Sequence, residues 1–316
     1  MFGALADQWL NANPGKREST LARDEVALRL HILPTFGKRR LDSITPVEIQ
    51  NLVNGWCKTQ NPATVRRSYD VVRAVCNYAV TIDLLLRTPC RGVRLPEVIA
   101  RKRPTVTPTH IEQIASAMPQ QYALMPWLGA VLGFRWGEVA GLRVGSFDLS
   151  QGVVTVTEQV IRGKGGKATF GPPKSKAGLR TFQAPSQVID LVIEHLGFQD
   201  ISVDEDDALL FVNDAGGPLD YSNFRRRIWI PAVAKAGVAD AGFHDLRRTN
   251  VTALVLENVV MKTTKDHLGH SDPRLTLAVY AQATSEGDQV AADRLGNRFF
   301  GKAAQESRQN GDFAAS

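Results

Sequence analysis

The segment FHDLRRTNVTALVLENVV, residues 243–260, decides how the second half of the chain is interpreted. Its pattern predicts a helix, and His244 and Arg247 are three positions apart, so both project from one side of it. A histidine in a first helical turn is often a capping or core residue, and that interpretation stands beside a functional one. Arg248 faces elsewhere and is the weaker candidate.

Two earlier segments also carry cations that the local pattern does not require. In LGFRWGEVAGL, residues 132–142, Arg135 follows an apolar run and Glu138 falls on the same helical face, so Arg135 is either a functional cation or a surface partner of Glu138. In PPKSKAGLRT, residues 172–181, Lys174 and Lys176 lie in a hairpin-like connection that is alternatively a solvated turn.

The segment HLGHSDPRLTLAVYAQ, residues 267–282, completes the series. His270 follows a glycine and is expected just beyond a helix end. Tyr280 comes after Leu275, Leu277 and Val279, and taken alone it is a core aromatic more readily than a nucleophile.

Together these segments resemble the boxes of the tyrosine recombinase or phage integrase family, and the resemblance covers nearly the whole chain. The family boxes read here LGFRWGE, PPK followed by an arginine, HDLRRT, LGH and the final tyrosine. The resemblance implies DNA strand breakage and rejoining through a 3′-phosphotyrosyl intermediate. It implies these catalytic residues, with Glu138 in support: Arg135, Lys174, His244, Arg247, His270 and Tyr280.

The residue types suit that chemistry. In-line attack on a phosphodiester raises the charge on its non-bridging oxygens, and the planar guanidiniums of Arg135 and Arg247 would clamp them. His244 and His270 would donate to the same oxygens or move protons. Lys174 is the expected general acid for the 5′-oxygen leaving group, with Lys176 close enough to substitute. The Tyr280 phenol would form a reversible link, so neither a cofactor nor a metal is expected.

The charge is concentrated at the front of the chain. Residues 1–103 carry 17 Lys and Arg against 9 Asp and Glu, a net +8, whereas the whole chain of 316 residues is +6 and the remainder is therefore −2. A basic helical module predicts nucleic-acid binding through phosphates, although a merely soluble basic surface is the alternative. Its segments HILPTFGKRRLDSITPVEIQNLV and TPCRGVRLP resemble the core-binding domain of integrases from actinobacterial phages. The DNA-binding candidates are Lys38, Arg39, Arg40, Arg66, Arg67, Arg73, Arg101, Lys102, Arg103 and Lys176.

The predicted fold is mainly α with a small antiparallel β-sheet, in two domains of the tyrosine recombinase type. The expected divisions are a helical core-binding domain at 1–95, a linker at 96–105, a mixed α+β catalytic domain at 106–302 and a disordered tail at 303–316. Residues 152–161 and 179–185 are predicted strands, 162–178 a turn-rich connection, and the acidic run 204–207 a solvated loop.

The cysteines and the hydropathy bear on the compartment. Cys57, Cys76 and Cys90 lack CxxC spacing, so neither a disulfide framework nor a zinc site is predicted, and with no apolar run of membrane length the expected location is the cytoplasm. The expected partners are double-stranded attachment sites, a homotetramer formed on DNA through exchange of a C-terminal helix near 290–300, and a host bending factor or excisionase. The alternative for that helix is packing against its own domain.

The resemblance leaves three alternatives open. The chain begins where the core-binding domain begins, so an arm-binding N-terminal domain is not expected; this fits a misassigned start or a trimmed prophage gene. It also fits the first alternative function, a Xer-like resolvase that works without arm sites. The second alternative is a topoisomerase-like relaxing enzyme, and the third is a non-catalytic prophage-derived DNA-binding protein.

Overall fold

The computed structural model describes residues 1–99, 104, 106–173 and 175–269 of the protein. These residues form two compact units, one built mainly from residues up to 99 and one from residue 104 onward. Among the described helices, none is both long and apolar enough to cross a membrane.

The first unit is helical. Its elements are α1 (Phe2–Asn11), α2 (Glu18–Ala27), a π-helical turn (Leu28–Ile32), α3 (Leu33–Phe36), α4 (Pro46–Cys57) and α5 (Pro62–Thr81). Helix α4 begins with a capping box: the Thr45 hydroxyl accepts from the Glu48 amide at 3.3 Å, and the Glu48 carboxylate accepts from the Thr45 amide at 2.9 Å. The apolar faces of these helices meet in a core that includes Phe2, Ile32 and Val72.

The second unit is mixed. Its helices are α6 (Pro108–Ala117), α7 (Met125–Val131), α8 (Trp136–Ala140), α9 (Ser186–Gln199), α10 (Tyr221–Phe224), α11 (Ile230–Lys235), α12 (Phe243–Leu256) and α13 (Met261–Leu268). Its strands are β1 (Phe147–Asp148), β2 (Val153–Val156), β3 (Gln159–Arg162), β4 (Ala168–Gly171) and β5 (Arg180–Gln183). The predicted class, mainly α with a small amount of antiparallel β, is confirmed.

The strands differ from the prediction in one respect. Residues 152–161 do not form one strand: β2 joins an antiparallel sheet of order β1-β2-β5, while β3 pairs with β4 in a separate sheet. The predicted strand is divided in two because β3 packs on α8. Gly137 and Gly141 of this region have no side chain and so allow the close contact: a Cβ on Gly137 would lie 2.7 Å from the Val160 carbonyl oxygen. Strand β4 lies inside the connection at 162–178 that was predicted to be turn-rich.

Helix α12 lies in the core of this unit. Phe243 and Leu246 approach α7 at Gly129, where an added Cβ would come within 3.1 Å of the Phe243 ring and 3.0 Å of Leu246. On the same side, the Asn250 amide donates to the Val131 carbonyl at 2.8 Å. These contacts fix α12 beside α7 and so place its first turn, which carries His244 and Arg247.

Three smaller features belong to the described structure. Residues 204–207 form exposed turns. Cys57 is an exposed free thiol, and Cys76 and Cys90 are buried free thiols in the first unit. Within the described part of the chain, no group of three or more His, Cys, Asp or Glu side chains could hold a metal ion.

Candidate active site

Arg135 and Glu138 form the first part of the site at the start of α8. The Glu138 carboxylate accepts from the Arg135 backbone amide at 3.0 Å and from its Nη1 at 2.6 Å. This is a helix cap in which the carboxylate also holds the arginine side chain. Arg135 remains 29% exposed, whereas Glu138 is 1% exposed. The spacing of three residues therefore pairs a partly accessible guanidinium, that of Arg135, with a buried acid, Glu138.

Arg180 reaches the same carboxylate from β5. Its Nη1 and Nη2 donate to Glu138 at 3.2 and 2.9 Å, while its Nε donates to the His267 carbonyl at 2.9 Å. Arg180 thus ties β5 to α8 and to the end of α13. It was not among the predicted site residues, although the arginine after PPK is part of the family box; its role is visible only in these long-range contacts.

Arg247 enters from the first turn of α12. Its Nη1 donates to the Gly133 carbonyl at 2.6 Å, its Nη2 donates to the Leu268 carbonyl, and its Nη1 lies 4.0 Å from Glu138. Its Nε is buried and has no hydrogen-bond partner within the described residues. Burial and the charge of Arg135 lower the pKa of Arg247 to about 9, while Glu138 opposes the shift, so the guanidinium stays charged at neutral pH.

The glycines of the LGF and LGH segments make this convergence possible. Gly133 adopts φ +64°, and a Cβ there would lie 2.7 Å from Asn250 Oδ1. Gly269 ends α13 with φ +62°, and a Cβ there would overlap the Ala177 carbonyl oxygen. Both positions need the left-handed conformation and the space that only glycine provides.

The electrostatics favour an anion. Arg135, Arg180 and Arg247 gather around one carboxylate, so the site has a local excess of positive charge. Burial opposes ionisation of Glu138, but the hydrogen bonds and charges of Arg180 and Arg135 outweigh it and hold the pKa of Glu138 below its usual range. An ionised acid with three cations leaves charge for a bound phosphate.

His244 lies at the same turn as Arg247 and is exposed. Partial desolvation, followed by the charges of Arg247 and Arg135, lowers the pKa of His244. The imidazole is therefore held neutral at pH 7, ready to accept a proton or to donate a hydrogen bond.

His267 is a second histidine at this site that the sequence did not single out. Its ring centroid lies 4.4 Å from that of Phe182, and its Nε2 is buried without a hydrogen-bond partner in the described structure. Burial, with the charges of Arg180 and Arg247, lowers the pKa of His267 to about 4. A neutral ring thus fills the space beside the arginines.

Several predicted residues lie outside the described part of the chain. They are Lys174, His270, Tyr280, Arg101, Lys102 and Arg103, together with the predicted C-terminal helix and tail. Lys176 is described and lies exposed in a short 3₁₀ turn after the Lys174 position.

The predicted DNA-binding residues of the first unit are all exposed, but most have protein partners. Arg39 pairs with Glu48 at 2.8 Å, Arg40 with Asp42 at 2.8 Å and Arg73 with Asp70 at 2.9 Å. Arg66 donates through Nε to the Pro96 carbonyl at 2.7 Å. Arg66 and Arg67 line a groove of about 540 Å³ that also contains Lys16, Arg23 and Trp9. The sequence analysis did not select Lys16 and Arg23. Both pair with Asp24, at 2.6 and 3.7 Å, and Asp24 and Asp70 also line the groove.

A further basic surface lies in the second unit. Arg225, Arg226 and Arg227 are consecutive and exposed in a π-helical turn after α10. The neighbouring Tyr221 ring contacts Trp136 at a centroid distance of 4.9 Å, and Trp136 directly follows Arg135. The ring contact joins α10 to α8.

Comparison with known families gives the context of this site. Residues 104–286 match the Phage integrase family, and residues 1–57 match the N-terminal SAM-like domain of phage integrases. The chain belongs to the phage integrase family. It is a tyrosine-type site-specific DNA recombinase, as its motifs predicted.

Its relatives are phage and prophage integrases. A putative prophage phiRv2 integrase of Mycobacterium tuberculosis is 31% identical over 92% of this chain and 77% of the relative, and the integrase of Mycobacterium phage D29 is 28% identical over 84% and 71%.

Solved integrase structures share the fold. The Tn1549 transposon integrase in complex with transposon right end DNA gives a TM-score of 0.78 at 19% identity, covering 93% of this chain and 99% of that one. A lambda integrase tetramer bound to a Holliday junction gives 0.65 at 19%, covering 87% and 76%.

Proposed function

We propose that this recombinase cuts and rejoins DNA at attachment sites of a phage or prophage, using Tyr280 as the nucleophile. The observation that carries the proposal is the convergence of Arg135 and Arg247 on Glu138, with His244 at the same turn. A phosphodiester placed at Arg135 would accept hydrogen bonds from a partly exposed guanidinium, and the family boxes put Tyr280 after this cluster in the chain.

The reaction needs no external energy source, because one phosphoester bond is exchanged for another. The Tyr280 oxygen attacks phosphorus, the bond from phosphorus to the 5′-oxygen breaks, and a 3′-phosphotyrosyl bond forms. Neutral His244 is suited to accept the phenolic proton, and Lys174 supplies the proton that leaves with the 5′-hydroxyl. Rejoining is the reverse reaction with the 5′-hydroxyl of the partner strand.

The proposal includes two sets of DNA contacts, one in each unit. The groove beside Arg66 and Arg67 and the surface of Arg225, Arg226 and Arg227 each offer cations for phosphates, which would hold the duplex without reading its sequence. The remaining predicted contacts, including Lys176 and the run Arg101 to Arg103, belong to the same proposal.

The working form in this proposal is a homotetramer on DNA in the cytoplasm, held by exchange of the segment near 290–300. The lambda integrase structure, a tetramer bound to a Holliday junction, supports this assembly for a protein of the same fold. A host bending factor or an excisionase would set the direction between integration and excision.

A nicked suicide substrate tests the catalytic assignment. The wild-type protein should form a covalent protein–DNA adduct, and Tyr280→Phe should retain DNA binding while losing the adduct. Tyr221→Phe, at an exposed tyrosine of the second unit, is the matched control and should keep the adduct. An adduct formed by Tyr280→Phe would refute the assignment, and no adduct from the wild-type protein would favour the non-catalytic DNA-binding alternative.

A further inference from the structure

Asn250 joins α12 to the end of α7 and to the connection that leads into α8. It lies one turn after Arg247 on α12 and is 5% exposed. Its Nδ2 donates to the Val131 carbonyl at 2.8 Å, and Arg247 Nη1 donates to the Gly133 carbonyl at 2.6 Å. Two side chains of one helix therefore hold alternate carbonyls of a stretch of backbone that ends at Arg135.

The oxygen of the Asn250 amide faces Gly133. A Cβ on Gly133 would lie 2.7 Å from Asn250 Oδ1, so the amide occupies the space that a side chain at residue 133 would fill. Oδ1 is buried and has no hydrogen-bond partner within the described residues. A buried oxygen without a partner costs free energy of folding. Stability thus gives no reason for this oxygen, whereas its contact does restrict Gly133.

The backbone at Gly133 needs such a restriction. Glycine reaches more backbone conformations than any other residue, and a change of its dihedral angles would move Arg135, two positions later. Asn250 closes the space on one side of Gly133, and Leu268 closes it on the other, at 2.8 Å from the same added Cβ. Because the Gly133 carbonyl also accepts from Arg247, one shift there would disturb both arginines.

We propose that Asn250 is a positioning residue for strand cleavage: it fixes the backbone from Val131 to Gly133 and thereby sets Arg135 and Arg247 relative to each other. The inference rests on the proposed function, in which these two arginines clamp the phosphate that is cut. Asn250 is buried and acts through the arginines, whose charges remain when it is replaced. It therefore contributes to the rate of cleavage and little to DNA affinity.

Hydrogen exchange without DNA tests the restraint on this backbone. The Arg135 amide donates to Glu138 at 3.0 Å and the Val139 amide donates to the Arg135 carbonyl at 3.0 Å, so both amides report on the start of α8. Asn250→Ala removes one hydrogen bond and opens space beside Gly133. Exchange of these amides should rise by roughly two- to tenfold relative to the amides of α9. An unchanged ratio overturns the proposal.

Asn213→Ala is the matched control. Asn213 is an asparagine of the same unit whose Nδ2 also donates to a backbone carbonyl, that of Pro218, at 2.9 Å. Its side-chain oxygen accepts from the amides of Ala215 and Gly217, so its contacts lie within its own loop. The variant should lose a comparable hydrogen bond and leave the exchange ratio at the start of α8 unchanged.

The rate of adduct formation tests the positioning role. On a nicked suicide substrate at saturating protein, Asn250→Ala should form the covalent adduct roughly five- to a hundredfold more slowly than the wild-type protein. Its DNA affinity should stay within about twofold of the wild-type value. Asn250→Ser, a milder change that also loses the reach to Val131, should show the same split and serves where the alanine variant does not fold. Asn213→Ala should keep both the rate and the affinity.

Three outcomes separate the possibilities. Equal losses of rate and affinity in the Asn250 variants, or a loss of rate in Asn213→Ala as large as theirs, would show a general loss of structure and overturn the positioning role. Faster exchange with a wild-type rate of adduct formation would overturn it as well. A wild-type protein that forms no adduct would count against the proposed function, since the exchange result does not depend on cleavage.

Discussion

The carboxylate of Glu138 accepts hydrogen bonds from both terminal nitrogens of Arg180, at 3.2 and 2.9 Å, in the interior of the second unit. The pair is 1% and 6% exposed, and the carboxylate also holds Arg135. One acid therefore neutralises part of the charge of several arginines while leaving the site cationic. The buried acid thereby holds Arg135 and Arg180 in fixed positions, which the proposed phosphate clamp requires.

Glu138→Gln should strongly destabilise the protein. The amide keeps the size of the side chain but removes its charge, so buried Arg180 and Arg247 lose their compensating anion, at a cost of roughly 3–5 kcal/mol. Urea unfolding measures this as a lower free energy of unfolding. Glu158→Gln is the control, because Glu158 pairs with Arg143 at 2.7 Å in a more exposed position and should lose about 1 kcal/mol or less. Equal losses in the two variants would contradict the central role of Glu138.

Arg180→Lys should lower the rate of DNA cleavage with little change in DNA affinity. Lysine keeps the charge but cannot reproduce the forked donation to Glu138 or the contact to the His267 carbonyl, so Arg135 is held less accurately. A small misplacement of catalytic groups costs up to about a hundredfold in rate. Single-turnover adduct formation at saturating protein measures the effect. An equal loss in DNA affinity would show that Arg180 acts on binding instead.

Gly269→Ala should destabilise the protein because residue 269 has φ +62° and an added Cβ would overlap the Ala177 carbonyl. Left-handed backbone strain alone costs roughly 1–2 kcal/mol. Gly197→Ala in α9 is the matched control: its Cβ would meet no atom within 4 Å, and alanine should stabilise the helix by roughly 0.5–1 kcal/mol. Thermal unfolding of the two variants should therefore shift in opposite directions.

The sequence predicts the parts of the site that depend on local spacing. His244 and Arg247 project from one side of α12 because they are three residues apart in a helix, and Glu138 caps the turn that begins at Arg135 because it also lies three residues away. These pairs need no knowledge of tertiary structure, and the order of the boxes then gives the family.

The parts that were missed depend on packing. Arg180 pairs with Glu138 across 42 positions, and no local spacing relates β5 to α8. Strand β4 contains a glycine and follows a glycine-rich turn, so its pattern indicates a loop; it forms a strand because β3 pairs with it and because Phe170 lies under the Arg143 guanidinium at 5.0 Å.

Protein stability should fall with acidification below about pH 6.5, and His267 should account for part of that fall. Its folded pKa is about 4, against an ordinary value of about 6.5, so the unfolded state binds more protons between these values. Stability should therefore be highest above pH 6.5 and decrease steadily towards pH 4. The groups around the imidazole reinforce this direction, because Arg180 and Arg247 face it and Phe182 cannot stabilise its charge by hydrogen bonding. The loss attributable to His267 should be on the order of 1–3 kcal/mol.

Urea unfolding from pH 4.5 to 7.5 measures how the free energy of unfolding changes with pH. This slope should become shallower in His267→Gln, since glutamine does not titrate. A variant with the full wild-type slope would show that other groups cause the acid sensitivity.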